Sequence, residues 1–275
     1  MKKRLVNIYN FAKLKKKINL NVFNRNKLEI FDFINNKYNS NKNFYFNFKF
    51  YKNYLSWLCK TLKLSLNKIR NEIFSNLSIK PNDTILIIGC GLGDEITYIK
   101  KKFKIKKIIY AQDLSSSMVV YSAKKNKKLN VSFSISNANN LPYKDDVFDF
   151  VIQIGGYNQF KNKKKTLREM HRVTKNLGTI FICDEGVSPN LKNLDIYKAL
   201  IVNNKLWRHT PPIEYIPENS INIVTGWLLK NCFYFLKFKK IKKVSKLNVN
   251  VKHKSPRGGS IRTRYEHKFK TKLNY

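Results

Sequence analysis

The stretch that most constrains this chain runs from Ile85 to Glu95, ILIIGCGLGDE. Four apolar residues, three of them β-branched, lead into Gly89, Gly91 and Gly93. A short continuous apolar run reads as a strand buried on both faces, the habit of a parallel sheet. Glycines at its carboxyl end let the backbone turn sharply and lie against a ligand. The spacing is G-x-G-x-G, unlike the G-x-G-x-x-G of dinucleotide sites. Asp94 and Glu95 follow where the next helix should begin. Carboxylates suit a helix N-terminus but would repel a pyrophosphate. The loop therefore predicts a nucleoside ligand without phosphates, and one that can be cationic.

The rest of the middle third repeats the rhythm. Further strands are expected at Lys106 to Asp113, Val131 to Ser136, Phe148 to Gly156 and Lys175 to Glu185. Helices are expected between them at Glu95 to Phe103, Ser115 to Lys125 and Lys165 to Thr174. Strands alternating with helices predict an α/β fold with a doubly wound, mostly parallel sheet. Upstream, Tyr51 to Leu62 reads as a helix. Ser65 to Leu77 is a second, with Ile69, Ile73, Phe74 and Leu77 at the helical period and Ser65 as its cap. Residues 1 to about 50 show little periodicity. Beyond Pro189 the rhythm changes. There, Val244 to Val251 and Ser260 to Phe269, joined by SPRGG, read as an antiparallel pair closing the sheet edge. The expected organisation is a basic, helical cap (1–80), a ligand-binding core (81–190) and a C-terminal segment that completes the sheet and acts as a lid (191–275).

Composition adds less. The formal charge is +38, with 55 Lys and Arg against 17 Asp and Glu. Such a balance suits nucleic acid or an anionic membrane surface. The excess is spread along the chain together with Asn, Ile, Phe and Tyr, as AT-rich codons would produce, so it weighs little for any partner. Cys59, Cys90, Cys183 and Cys232 are far apart, which predicts neither a disulfide framework nor a metal site and suits a reducing, cytoplasmic setting. No run of about 18 apolar residues suggests a membrane span; peripheral membrane contact stays open.

Asp113 ends the second strand, twenty positions after Gly93. That is the spacing at which an acid meets a ribose in βαβ nucleotide sites, where its two oxygens accept from both hydroxyls. The segment NANNLPYKDDVFDFV, Asn137 to Val151, resembles the D-A-x-x-L-P-F and F-D-x-V stretches of the class I S-adenosylmethionine-dependent methyltransferases. LREMHRVTKNLG, from Leu167, resembles that family's L-x-E-x-x-R-V-L-K-P-G-G, with Arg172, Val173 and Lys175 matching. The resemblance covers roughly residues 80 to 190. It implies a Rossmann-like fold and S-adenosyl-L-methionine, with Gly89, Gly91, Gly93, Asp113, Leu114, Asn137, Ala138 and Gln153 as cofactor-binding residues. Asn137 stands where the family has Asp; its amide oxygen can still accept from the adenine amine. Asn140 to Tyr143 spells the NLPY of RNA adenine-N6 methyltransferases, but it precedes the fourth strand, whereas theirs follows it. His171 is expected to be structural.

Methyl transfer needs chiefly alignment and desolvation, and a base only when the acceptor must lose a proton. Candidate polar groups near the strand ends are Asn158, Asp184 and Glu185, with His209 reaching in from the C-terminal segment. The aromatic flanks, Tyr51, Tyr54 and Trp57 on one side and Trp207, Pro211, Pro212 and the Trp227 to Phe238 run on the other, suit an apolar pocket. Their look is similar to the branch that methylates quinones, sterols and other lipid-like acceptors. Arg257, Arg262 or Arg264 could hold an anionic group of the acceptor. The reading is a methyltransferase for a small, hydrophobic or lipid-like acceptor. The alternatives are an RNA methyltransferase, with nucleic acid as a less favoured partner, and an inactive cofactor-binding homologue.

Overall fold

The computed structural model describes residues 30–34, 48–243, 247–252 and 258–274. They fall into two compact units, within residues 1–241 and 242–275.

In the first unit the chain runs β1 (Ile30–Asp32), α1 (Phe48–Leu62), α2 (Leu66–Phe74), β2 (Ile85–Ile88), α3 (Asp94–Lys102), β3 (Ile109–Asp113), α4 (Ser116–Lys125) and β4 (Val131–Ile135). It continues through β5 (Phe148–Ile154), α5 (Lys163–Val173), β6 (Thr174–Glu185), α6 (Asp195–Asn203), β7 (Ser220–Leu228) and β8 (Phe233–Lys240). The eight strands form one sheet in the order β1-β4-β3-β2-β5-β6-β8-β7. The first six are parallel, and the β7–β8 hairpin adds antiparallel at β6. The chain winds outward from β2 to β3 and β4, then crosses to β5 on the other side. That crossing makes the carboxyl ends of β2 and β5 the topological switch point, where open α/β sheets bind ligands.

The apolar run Ile85–Ile88 is buried along its whole length. Burying each such side chain is worth about 1.5–3 kcal/mol, so this strand has one favourable position, at the sheet centre. Leu167, Met170 and Val173 are fully buried on α5, as their spacing predicts. Ser65 and Ser115 cap α2 and α4 by accepting from Lys68 N and Met118 N. Arg172 explains the E-x-x-R pattern. It pairs with Glu169 and Asp145 and donates to the carbonyls of Leu141 and Tyr143, while Glu169 accepts from Leu141 N. The helix thereby pins the loop ahead of β5. In that loop Tyr143 is fully buried, with its hydroxyl 2.9 Å from Ser134 Oγ, so the Leu141 to Tyr143 part of NLPY is core here, while Asn140 is exposed. His171 places Nε2 2.9 Å from the Asn219 carbonyl, a structural contact.

Two expectations change. The antiparallel pair that closes the sheet is β7–β8, formed from the Trp227 to Phe238 run and the residues before it. The strand expected at Ser260 to Phe269 is instead a helix, α7 (Ile261–Phe269), in the second unit, where Ser260 and Thr263 form a capping box. Residues 247–252 carry no strand, and Val244 lies outside the described residues. The short parallel edge strand β1, paired with β4, lies in a segment without a periodic signal.

Among the described residues no helix is long and apolar enough to cross a membrane, and no His, Cys, Asp and Glu group could hold a metal.

Candidate functional site

The glycine loop leaves β2 with Gly89 at φ +64°, Gly91 at +49° and Gly93 at +74°. Two of these glycines serve different ends. A Cβ on Gly93 would lie 2.1 Å from Ser122 Oγ and 2.6 Å from Asn126 Nδ2, so this position lets α3 and α4 pack. A Cβ on Gly91 would meet nothing within 4 Å. Open space beside left-handed backbone at the switch point is the cradle that a ligand would fill.

Asp113 ends β3 and buttresses that loop. Its Oδ2 accepts from Gly91 N at 3.0 Å and its Oδ1 from Ser115 N at 2.9 Å. Burial pushes its carboxyl pKa up, against the pull of these amides and that of Leu114. Each oxygen keeps a lone pair for a hydroxyl. Leu114 follows directly. Asn137, after β4, forms an Asx turn with Oδ1 accepting from Asn139 N at 2.9 Å, which leaves one oxygen lone pair. Ala138 is buried beside it. Gln153, on β5, is in register with Ile88 of β2. It is fully buried, and neither its Nε2 nor its Oε1 has a hydrogen-bond partner. A buried, unsatisfied amide is costly and rare. Here it sits at the strand ends beside Gly89 and Gly156. All eight residues of the expected cofactor set therefore lie on the loop or at the carboxyl edge of β2, β3, β4 and β5. The donors and acceptors present fit a nucleoside ligand.

The loop carboxylates are not free. Asp94 pairs with Lys125 at 2.7 Å and Arg70 at 3.5 Å, and Glu95 lies 3.5 Å from Arg70. The repulsion that they were expected to exert on a phosphate is thus largely compensated. Arg70, on α2, was missed; it is one of two basic residues in that helix and carried no distinguishing signal.

The carboxyl ends of β5 and β6 carry a second polar group. Asp184 is fully buried. It accepts from Asn158 N at 2.7 Å and Glu185 N at 2.8 Å. Burial, then Glu185, holds its carboxyl well above the usual range. Asn158 donates to the Glu185 carbonyl at 2.8 Å and accepts from Tyr234 OH at 2.8 Å, so its amide is committed to positioning. Glu185 Oε1 accepts from Tyr54 OH of α1 at 2.7 Å. Burial and Glu185 push the Tyr54 phenol far up, so it stays a donor. His209 is placed by close backbone packing: a Cβ on Gly186 would meet His209 O at 2.4 Å, and Val187 N donates to Trp207 O. Its Nδ1 lies 3.5 Å from Lys163 Nζ. Burial and Lys163 lower its pKa, while Glu185 raises it. The fold thus brings Asn158, Asp184, Glu185 and His209 to one edge. Lys163 and the Tyr54–Glu185 bond had no sequence signal.

The arginines expected to bind an anion are otherwise engaged. Arg262 bonds Asn250, Glu266 and the Leu273 carbonyl, and Arg264 the Gly258 carbonyl, all within the second unit. Arg257 lies outside the described residues.

A protein-family model described as a methyltransferase domain matches residues 79–244 of the 275. The chain is 32% identical over 128 residues to norajmaline N-methyltransferase of Rauvolfia serpentina, covering 45% of this chain and 44% of that protein. It is 30% identical over 132 residues to demethylmenaquinone methyltransferase of Alkalihalophilus pseudofirmus, covering 46% and 55%. It spans about half the length of these curated relatives. Among solved structures, phosphoethanolamine N-methyltransferase 2 of Haemonchus contortus, bound to phosphomonomethylethanolamine and S-adenosylhomocysteine, has a TM-score of 0.53 at 14% identity, covering 68% of this chain and 57% of that one. The 4+2 cyclase SpnF also scores 0.53 at 14% identity, over 64% and 80%; these two likenesses concern the fold alone. With a domain match over more than half its length, a glycine loop, an acid ending the next strand and a mostly parallel sheet, the chain belongs to the class I S-adenosylmethionine-dependent methyltransferase family.

Proposed function

We propose that this chain transfers a methyl group from S-adenosylmethionine to a small, apolar acceptor bound over the carboxyl ends of β5 and β6. The observation that carries the cofactor half is Gln153, buried at the switch point with both amide atoms unpartnered. S-adenosylmethionine supplies an activated methyl on a sulfonium. The loop from Gly89 to Gly93, with Gln153 beside it, receives its methionine half, Asp113 and Leu114 the ribose, and Asn137 and Ala138 the adenine end. In this reading residues 1–80 cap the site, 81–190 hold the cofactor, and the following segment supplies His209 and the aromatic hairpin.

The acceptor side is supported by the aromatic cover from Tyr51, Tyr54 and Trp57, and by relatives whose names specify an alkaloid and a menaquinone precursor. Against an RNA adenine substrate, Tyr157, just after β5, is fully buried and donates to the Lys163 carbonyl, so it offers no face to a base.

Calorimetry tests the reading. The folded wild type should bind S-adenosylmethionine, and Asp113→Ala should weaken binding at least tenfold. Absence of binding by the folded wild type would overturn it. Tight, salt-dependent RNA binding without transfer to metabolite extracts would overturn the small-acceptor assignment.

A further inference from the structure

We infer that the acceptor is a small amine and that Glu185 receives its nitrogen; this rests on the methyl-transfer reading above. The Glu185 side chain is at the end of β6 and only 5% exposed. Tyr54 satisfies Oε1, while Oε2 is buried without a partner. A buried carboxylate oxygen lacking a donor is among the costliest polar arrangements in a fold. A ligand N–H placed there would relieve it.

The surroundings choose a cation over a neutral donor. Asp184 adds a second carboxyl next in sequence; each of its oxygens accepts from a backbone N–H, and the carboxyl, held above its usual range by burial and by Glu185, also hydrogen-bonds the Glu185 side chain. Every ion pair among the described residues lies elsewhere. Lys163, the lysine within electrostatic reach of Asp184, turns its Nζ toward His209. In a chain with 55 basic residues and 17 acidic ones, two adjacent buried acids that make no ion pair run against the composition; His209 is the basic group within electrostatic reach of Glu185. Tyr51 and Tyr54, one turn apart on α1, lie within electrostatic reach of Glu185. Tyr54 also stacks on Trp57, with ring centroids 5.8 Å apart. Aromatic rings near a carboxylate, here with Tyr54 presenting its hydroxyl to it, suit an amine whose apolar body the rings would cover.

The chemistry balances. An acceptor R–NH3⁺ gives one proton to Glu185 and becomes R–NH2 with a free lone pair. The N–C bond forms as the S–C bond breaks, with that bond's electron pair going to sulfur. The products are R–NH2⁺–CH3, a neutral thioether and a proton that leaves Glu185 for solvent.

Calorimetry on the full chain separates this inference from the reading beneath it. S-adenosylhomocysteine is titrated first, into wild type and Glu185→Gln. The loaded proteins are then titrated with tryptamine, phenethylamine and dodecylamine, each beside the alcohol of the same skeleton. At least one amine should bind the wild type tenfold more tightly than its alcohol. Glu185→Gln should erase that preference and leave S-adenosylhomocysteine affinity within twofold. If no amine outbinds its alcohol, or the preference survives in the variant, the inference is overturned while cofactor binding stands. If folded wild type does not bind S-adenosylhomocysteine, the underlying reading fails instead. Should Glu185→Gln fail to fold, the amine–alcohol comparison on wild type decides, along with Tyr51→Ala, which should weaken the amine more than the alcohol.

Discussion

The two halves of the sheet's carboxyl edge are built in different ways. On the cofactor half, the loop after β2 is braced by Asp113 from the adjacent strand, and every group lies at a strand end or on the turn that directly follows it. On the acceptor half, Tyr54, Asn158, Asp184, Glu185 and His209 converge from four separate segments, and the Tyr54–Glu185 bond joins residues 131 positions apart. The first half relies on backbone conformation and close packing. The second relies on side chains whose partners exist only once the sheet has formed. Perturbations should therefore act on the cofactor half through sterics and on the acceptor half through unpaired polar groups.

The largest expected effect is on the steric side. Gly93→Ala forces a Cβ against Ser122 and Asn126 at a positive φ, which should cost about 2–5 kcal/mol from overpacking and backbone strain together. That is a large part of a typical domain's stability, and urea unfolding should reveal a much lower midpoint. Gly91→Ala sharpens the contrast. With open space around its Cβ it should cost only about 1–2 kcal/mol, yet weaken S-adenosylmethionine binding more than Gly93→Ala weakens it in whatever protein still folds. Equal effects of the two on stability would break the division of labour between these glycines.

On the acceptor side, Tyr54→Phe removes the one donor to Glu185 Oε1 and leaves both oxygens bare. A loss of about 1–3 kcal/mol is expected, seen in urea unfolding, with faster amide exchange in α1. An unchanged α1 would mean that the bond does not hold it to the sheet edge.

The smallest effect concerns pH. Burial holds the His171 imidazole below its ordinary pKa, so the folded state favours the neutral ring. Its contribution to stability is full above the unfolded value of about 6.5 and is lost as pH falls through the folded value. Thermal melts between pH 7.5 and 5 should show His171→Gln, which keeps an N–H near the Asn219 carbonyl, losing a fraction of a kcal/mol less than wild type.

Much of the parallel sheet was legible because its signals are local. ILII cannot be exposed, Ser65 and Ser115 cap the helices that begin beside them, and Leu167, Met170 and Val173 mark one helical face. The failures are also physical. Ile261, Thr263 and Tyr265 alternate with charged residues and so imitate a strand, but no partner strand is present among the described residues, and the Ser260–Thr263 capping box favours the helix. β1 is three residues long, too short to show a period, and exists because β4 offers it an edge. Arg70 was invisible because an ion pair depends on where another helix begins.

By itself, then, the sequence determined the central strand, the glycine turn and the acid one strand later, since each rests on short-range sterics and burial. Only the tertiary structure decided what the loop carboxylates face, which hairpin closes the sheet and where the buried acids find donors. Those outcomes depend on distances between segments far apart in the chain, and no local propensity encodes such distances.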